Sequence, residues 1–157
     1  MATTNQIGLD NAKTKELATK LNALLSNYQV FYTNTRGLHW NIAGEKFFEL
    51  HVKFEELYTD ALVKIDEIAE RILTIGGTPM HKFSDYLTHS TILESGKISD
   101  GREAVQLVLD SYKILLGIER EIYQLAEDAK DEGTDSLVSD YIREQEKTVW
   151  MYAAYLR

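Results

Sequence analysis

The chain has no cysteine and a single proline, Pro79, in 157 residues. Without cysteine there is no disulfide framework, no thiolate zinc finger and no thiol nucleophile. With one proline, little interrupts long helices. No apolar run approaches the ~18 residues of a membrane span. The opening MATTNQIGLD lacks the apolar core of a signal peptide, so a cytoplasmic location, nucleoid-associated or not, is expected. Positive charge is also in deficit: 17 Lys and Arg stand against 25 Asp and Glu, a net charge of -8. An acidic surface repels phosphate backbones and draws cations. The length suits one domain, spanning 1–157, with a real core.

What is present is helical periodicity. In residues 9 to about 38, Leu17, Leu21, Leu24, Tyr28, Phe31 and Thr35 repeat at three and four, widened by Ala18, Leu25 and Tyr32. Gly37 and the segment 41–44 mark the end. A second helix is expected from about 45 to 75, with Phe54, Ala61, Ile65, Ile68 and Ile72 as its apolar stripe, stopped by Gly76-Gly77-Thr78-Pro79. The connection from 78 to 100 is too long to be structureless. Ser84 before Asp-Tyr-Leu predicts a capped short helix over 84–89. A third long helix follows Asp100 as N-cap and runs to about Lys130, with Val105, Val108, Tyr112, Leu115, Ile122, Ala126 and Ala129 inward. A fourth begins near Thr134 and reaches Leu156, on a stripe of Leu137, Tyr141, Val149, Tyr152 and Leu156. Short, long and short connections between four long helices give an all-α, ferritin-like four-helix bundle with a short helix in the crossover.

The chemistry concentrates between Leu38 and Arg71. On the second helix His51, Glu55, Asp66 and Glu70 fall within roughly a 100° arc beside the apolar stripe. His51 and Glu55, and Asp66 and Glu70, are i,i+4 pairs that can each reach one point. His39 and Trp40 lie at or just past the end of the first helix, where His39 is either a dipole-facing cap or a ligand. Two imidazoles with carboxylates and no thiolate suit iron, manganese or zinc, and fit a non-haem iron site better than a structural zinc site. His81 and His89 have no carboxylates at helical spacing and read as surface or interface residues.

No Glu stands three residues before any histidine, and the last two long helices carry no histidine. A di-iron centre built within one bundle uses such Glu-x-x-His pairs. Here the ligands come from the first two helices only and flank the apolar stripe. That pattern predicts a site at a subunit boundary, His39 and His51 of one chain facing Asp66 and Glu70 of another. A second acidic group, Glu127, Asp128, Asp131, Glu132 and Asp135, crowds the junction around Gly133. In a monomer it is a solvated turn.

The stretches NYQVFYTNTRGLHWNI, FFELHVKFEELYTDALVKIDEIAERILTIGG, FSDYLTHS and EKTVWM resemble the Dps family, mini-ferritins named as DNA-binding proteins from starved cells. The resemblance covers nearly the whole chain, and His39, His51, Asp66 and Glu70 match its metal motif in type and spacing. It implies a hollow dodecamer with ferroxidase centres at dimer interfaces, holding two irons each in the family's manner. It further implies oxidation of ferrous iron, preferentially by hydrogen peroxide, and storage of ferric mineral that limits oxidative damage. Glu55 takes the place of an acidic ligand or supporting residue, often Asp in the family. Glu56 becomes a candidate for mineral nucleation. Trp40 matches the aromatic residue beside the site, which packs there or intercepts oxidising equivalents. Glu127, Asp131, Glu132 and Asp135 become candidates for lining a three-fold pore.

The family's DNA binding transfers poorly. No Lys or Arg precedes Leu9, Lys13, Lys15 and Lys20 fall inside the first helix, and no basic tail follows. Direct binding to DNA is expected to be absent or weak and bridged by divalent cations. The alternative function is a nucleoid protein whose iron binding is secondary.

Overall fold

Asp10 sets the start of the first helix. Its carboxylate accepts hydrogen bonds from the N–H groups of Ala12 and Lys13, so α1 spans Asn11–Asn41. The computed structural model describes residues 3–157. Gly37 does not end α1, as the sequence had led us to expect. The helix runs one more turn, to an extended Ile42, and Gly44 at φ +100° turns the chain. α2 spans Phe47–Thr74. Gly76, at φ +93°, closes it, and the Gly77 N–H donates to the Ile72 carbonyl.

α3 spans Phe83–His89. Its N-cap position is Lys82, without a side-chain bond, and Ser84 lies inside the helix rather than capping it. α4 spans Gly101–Ala129, capped as expected by Asp100, whose carboxylate accepts from the Glu103 N–H. α5 spans Glu132–Leu156, beginning two residues before the predicted Thr134, and is capped by Asp131. Among the described residues there is no strand, only an isolated bridge between Thr4 and Asp10. No described helix is long and apolar enough to cross a membrane.

α1 packs along α2 and α4, α4 along α5, and α3 against α1. The core joins Leu17, Leu21, Leu24 and Phe31 to Phe54, Ile68 and Ile72, and these to Val108, Leu115 and Ile122. Each such side chain contributes about 1.5–3 kcal/mol through the apolar surface it removes from water. On α5 the buried stripe is Val138, Tyr141, Gln145 and Tyr152, whereas Leu137, Val149 and Leu156 are only half-buried.

Three asparagines of α1 hold the crossover in place. Asn22 accepts from the Met80 N–H and donates to the Thr78 carbonyl. Asn27 accepts at Oδ1 from the backbone N–H groups of Thr91 and Ile92 and from the hydroxyls of Ser90 and Thr91. Asn34 donates to the Leu93 carbonyl and accepts from the Ser95 N–H. The irregular backbone on either side of α3 thus finds side-chain partners where it has no helix to pair with.

A polar cluster crosses the core. Tyr28 and Gln145 both donate to Glu119 Oε1, at 2.9 and 3.0 Å, and Gln145 also donates to the Tyr28 oxygen. Burial pushes the Glu119 carboxyl up to about 7, against the pull of the Gln145 and Tyr28 hydrogen bonds and of Lys64 and Arg120. Burial also raises Tyr28, helped by the Glu119 charge.

Candidate metal centre

The α1–α2 hairpin brings the two histidines together. Their rings stack at 3.8 Å between centroids with 13° between planes. Each holds the other's backbone: His39 Nδ1 lies 2.6 Å from the His51 carbonyl oxygen, and His51 Nδ1 lies 2.8 Å from that of His39. A carbonyl can only accept, so both Nδ1 atoms carry the proton. In the neutral ring that leaves each Nε2 with a free lone pair, the form that ligates a metal. His39 is therefore no simple helix cap, although it lies in the last turn of α1.

Neighbouring aromatics fix this pair. Phe47 stacks on His51 at 4.9 Å and Tyr58 meets His39 edge-on at 5.3 Å. Tyr32 in turn packs edge-on against Tyr58. Sequence reasoning named Tyr32 only as part of the apolar face of α1 and did not single out Phe47 or Tyr58. Phe47 and Tyr58 lie four before and seven after His51, and that helical spacing was the available signal. Trp40 is 63% exposed. The Arg36 guanidinium sits 4.7 Å above its ring.

The carboxylates are elsewhere. Glu55, Asp66 and Glu70 are exposed on α2. Asp66 is 15 residues beyond His51 on the same helix, which is ~22 Å along its axis. No group of three or more His, Asp or Glu among the described residues converges within the chain to hold a metal. The chain thus offers two half-sites: a histidine pair at one end of α2 and an i,i+4 carboxylate pair at the other.

That outward face of α2 is also apolar. Phe48, Val52, Leu62, Val63 and Leu73 are all exposed. On the helical wheel they interleave with His51, Glu55, Asp66 and Glu70. An exposed apolar patch of this kind marks a contact surface. Glu56, beside Val52 and Val63, is paired with Lys53 at 3.0 Å.

The acidic junction divides in two. Asp131 is 2% exposed: it caps α5, accepts from Thr134 and binds Arg71 at 2.6 Å. The expectation that it lines a pore is corrected here, because its carboxylate is spent inside the chain. Glu127 and Glu132 are exposed and Asp135 is half-buried. Glu127 accepts from the Tyr123 hydroxyl and Asp135 from that of Ser139. His81 and His89 are exposed, as expected of surface residues.

Comparison with known proteins decides the family. The ferritin-like domain model matches residues 18–157. The crystal structure of a Dps protein from Vibrio cholerae O1 superposes with a TM-score of 0.97 at 57% identity, covering 100% of this chain and 99% of that one. This chain belongs to the Dps family of ferritin-like proteins. The Dps protein of Bacillus brevis follows with a TM-score of 0.90 at 36% identity, covering 93% and 98%. A DNA protection during starvation protein of Porphyromonas gingivalis is 40% identical over 148 residues, 94% of this chain and 93% of its own. The Vibrio protein is described as a member of a broad superfamily of ferritin-like diiron-carboxylate proteins. In this chain the His39–His51 pair lies where the end of α1 meets the start of α2, and Asp66 and Glu70 lie toward the other end of α2.

Proposed function

We propose that this protein is a ferroxidase and iron-storage cage whose metal sites form between two copies of the chain. The observation that carries the reading is the ~22 Å separation of the two half-sites on one apolar, outward-facing helix. A two-fold axis passing near Tyr58 and Thr59 sets two α2 helices antiparallel. Position 51 of one copy then meets position 66 of the other, and the exposed apolar side chains pack between them. His39 and His51 supply two neutral nitrogen donors. Asp66 and Glu70 of the mate supply negative oxygen, and Glu55 stands one turn from His51.

Such a mixed nitrogen and oxygen set with open positions suits ferrous iron as substrate and favours the ferric product. Two ferrous ions give one electron each, and the O–O bond of hydrogen peroxide breaks to the level of water. The chain's own part is to hold two irons close together and, through the Nδ1–H bonds to backbone carbonyls, to present the Nε2 lone pairs of His39 and His51. A dodecameric shell encloses the ferric mineral, with Glu56 among the inward carboxylates. Glu127, Glu132 and Asp135 attract incoming cations at the junction of subunits. Direct DNA binding is weak, since the charge of -8 per chain repels the phosphate backbone.

Stopped-flow oxidation of ferrous iron tests the reading. Hydrogen peroxide or air-saturated buffer is added to wild type and to His39→Ala/His51→Ala, matched in size by light scattering. Fast peroxide-driven oxidation lost in the double variant is expected. Equal rates in both proteins would move the chemistry elsewhere and favour the nucleoid-binding alternative, which a low-salt gel shift with and without magnesium would then examine.

A further inference from the structure

Tyr32, Arg36 and Trp40 follow one another at i,i+4 spacing on α1, so their side chains meet on one face of the helix. The guanidinium carbon of Arg36 lies 5.2 Å from the centre of the Tyr32 ring and 4.7 Å from that of Trp40. Both distances fall within the ~6 Å reach of a cation over an aromatic face. Among the described residues no carboxylate forms an ion pair with Arg36. Glu94 borders the same groove without pairing with it. The Arg36 Nε is buried and has no hydrogen-bond partner. The positive charge therefore faces two aromatic rings and is not neutralised by an acid of its own chain.

Both rings belong to the surroundings of the histidine pair. Trp40 follows His39 directly in the chain. Tyr32 meets Tyr58 edge-on at 6.0 Å, and Tyr58 meets His39 at 5.3 Å. In a chain without cysteine, indole and phenol are the side chains that most readily give up one electron. A ring that loses an electron becomes a cation radical. A fixed positive charge above it opposes that step twice, by repelling the new charge and by forfeiting its attraction to the neutral ring. Trp150 on α5 offers a comparison within the same chain. It is 61% exposed and Trp40 is 63% exposed. Among the described residues only Trp40 of these two carries a cation over its ring.

We propose that Arg36 guards Trp40 and Tyr32 against one-electron oxidation, so that both rings stay reduced beside the histidine pair. The guard rests on the ferroxidase reading for the source of the oxidant. A single ferrous ion gives hydrogen peroxide one electron, which leaves ferric iron, hydroxide and an oxidising equivalent at the level of hydroxyl radical. One more electron and one proton turn that equivalent into water. A second ferrous ion supplies the electron and becomes ferric. An unguarded indole supplies it instead and becomes the cation radical. The charge of Arg36 favours the first outcome.

Azidyl radicals, generated by radiolysis of azide solutions under nitrous oxide, test the guard without iron. Each takes one electron from a ring and becomes azide. Being neutral, the radical is neither drawn nor repelled by Arg36. The assembled, full-length protein is compared with Arg36→Lys, which keeps the charge, and with Arg36→Met, which keeps an uncharged chain over the ring. Peptide mass spectrometry reads the loss of Trp40 relative to Trp150. Arg36→Met is expected to raise that ratio about fivefold, and Arg36→Lys to stay within about twofold of wild type. Light scattering and circular dichroism establish that the variants keep their assembly and helix content, and Arg36→Gln replaces Arg36→Met if the latter does not assemble. A ratio unchanged in the neutral variant, or raised equally in Arg36→Lys, would overturn the proposal. Under ferrous iron and peroxide, Trp40 loss is expected to follow the same order. The expected order with azidyl radicals, together with no Trp40 loss in any variant with iron, would count against the iron site and leave the guard standing.

Discussion

Glu119→Gln isolates the cost of a buried carboxylate. Glu119 is fully buried, and burial raises its carboxyl from 4.5 to about 7. Oε1 already accepts two hydrogen bonds while Oε2 has no partner. The proton of the neutral acid therefore resides on Oε2. Between pH 4.5 and 7 the folded chain keeps that proton and the unfolded chain has released it. A raised carboxyl stabilises the fold at low pH, and the stabilisation is lost as pH rises through about 7. At ~1.4 kcal/mol per pH unit, the full loss is about 3 kcal/mol. Glutamine keeps the acceptor at Oε1 and places an uncharged amide where the proton was. Relative to wild type, Glu119→Gln should therefore gain about 2–3 kcal/mol between pH 5 and pH 8. Guanidinium denaturation at fixed protein concentration measures that difference, since subunit association also sets the midpoint. A stability difference that is the same at both pH values would refute the reasoning.

Three further perturbations follow from the packing. Asn27→Ala strands three donors of the crossover, the N–H groups of Thr91 and Ile92 and the Thr91 hydroxyl, whereas the Ser90 hydroxyl keeps the Ile92 carbonyl as acceptor. It should cost about 2–4 kcal/mol in denaturant titrations and speed hydrogen exchange at Thr91 and Ile92. Gly133→Ala places a methyl within 2.6–2.8 Å of the Arg71 guanidinium. It should push Arg71 off Asp131, lowering stability by about 1–2 kcal/mol, with a smaller loss in an Arg71→Ala background. Leu62→Lys on the exposed face of α2 should leave helix content intact and shift the mass seen by light scattering to monomer. An unchanged assembly would remove that face as the dimer contact.

The four long helices were legible because each buries a stripe at helical spacing, and their boundaries moved by only a few residues. Gly37 misled at the end of α1 because a helical glycine costs little where both neighbouring turns are packed. Asp131 misled for a different reason. A run of acidic residues reads as a charged surface, yet one of them caps α5 and meets Arg71, sixty residues earlier in the chain. Nothing local in the sequence announces that partner. Asn22, Asn27 and Asn34 were passed over because polar residues on a helix read as solvated, whereas here they satisfy backbone that has no helix of its own. At the proposed metal centre only the residue types and their spacing were readable. The reciprocal bonds that fix both imidazole tautomers were not, because they depend on how the hairpin closes. Gln145 and Glu119 lay hidden in the same way, as polar letters within apolar stripes.

The most direct test of the inter-chain site is complementation between two inactive variants. His39→Ala/His51→Ala lacks every imidazole half-site, and Asp66→Ala/Glu70→Ala lacks every carboxylate half-site. Each should be assembled yet slow in peroxide-driven iron oxidation. When the two are unfolded together and reassembled, about half of random dimers pair unlike chains, and one of the two sites in each is then intact. Recovery of about one quarter of the wild-type rate in the mixed cages is the predicted result. Mixed cages no faster than their inactive parents would contradict a site shared between chains.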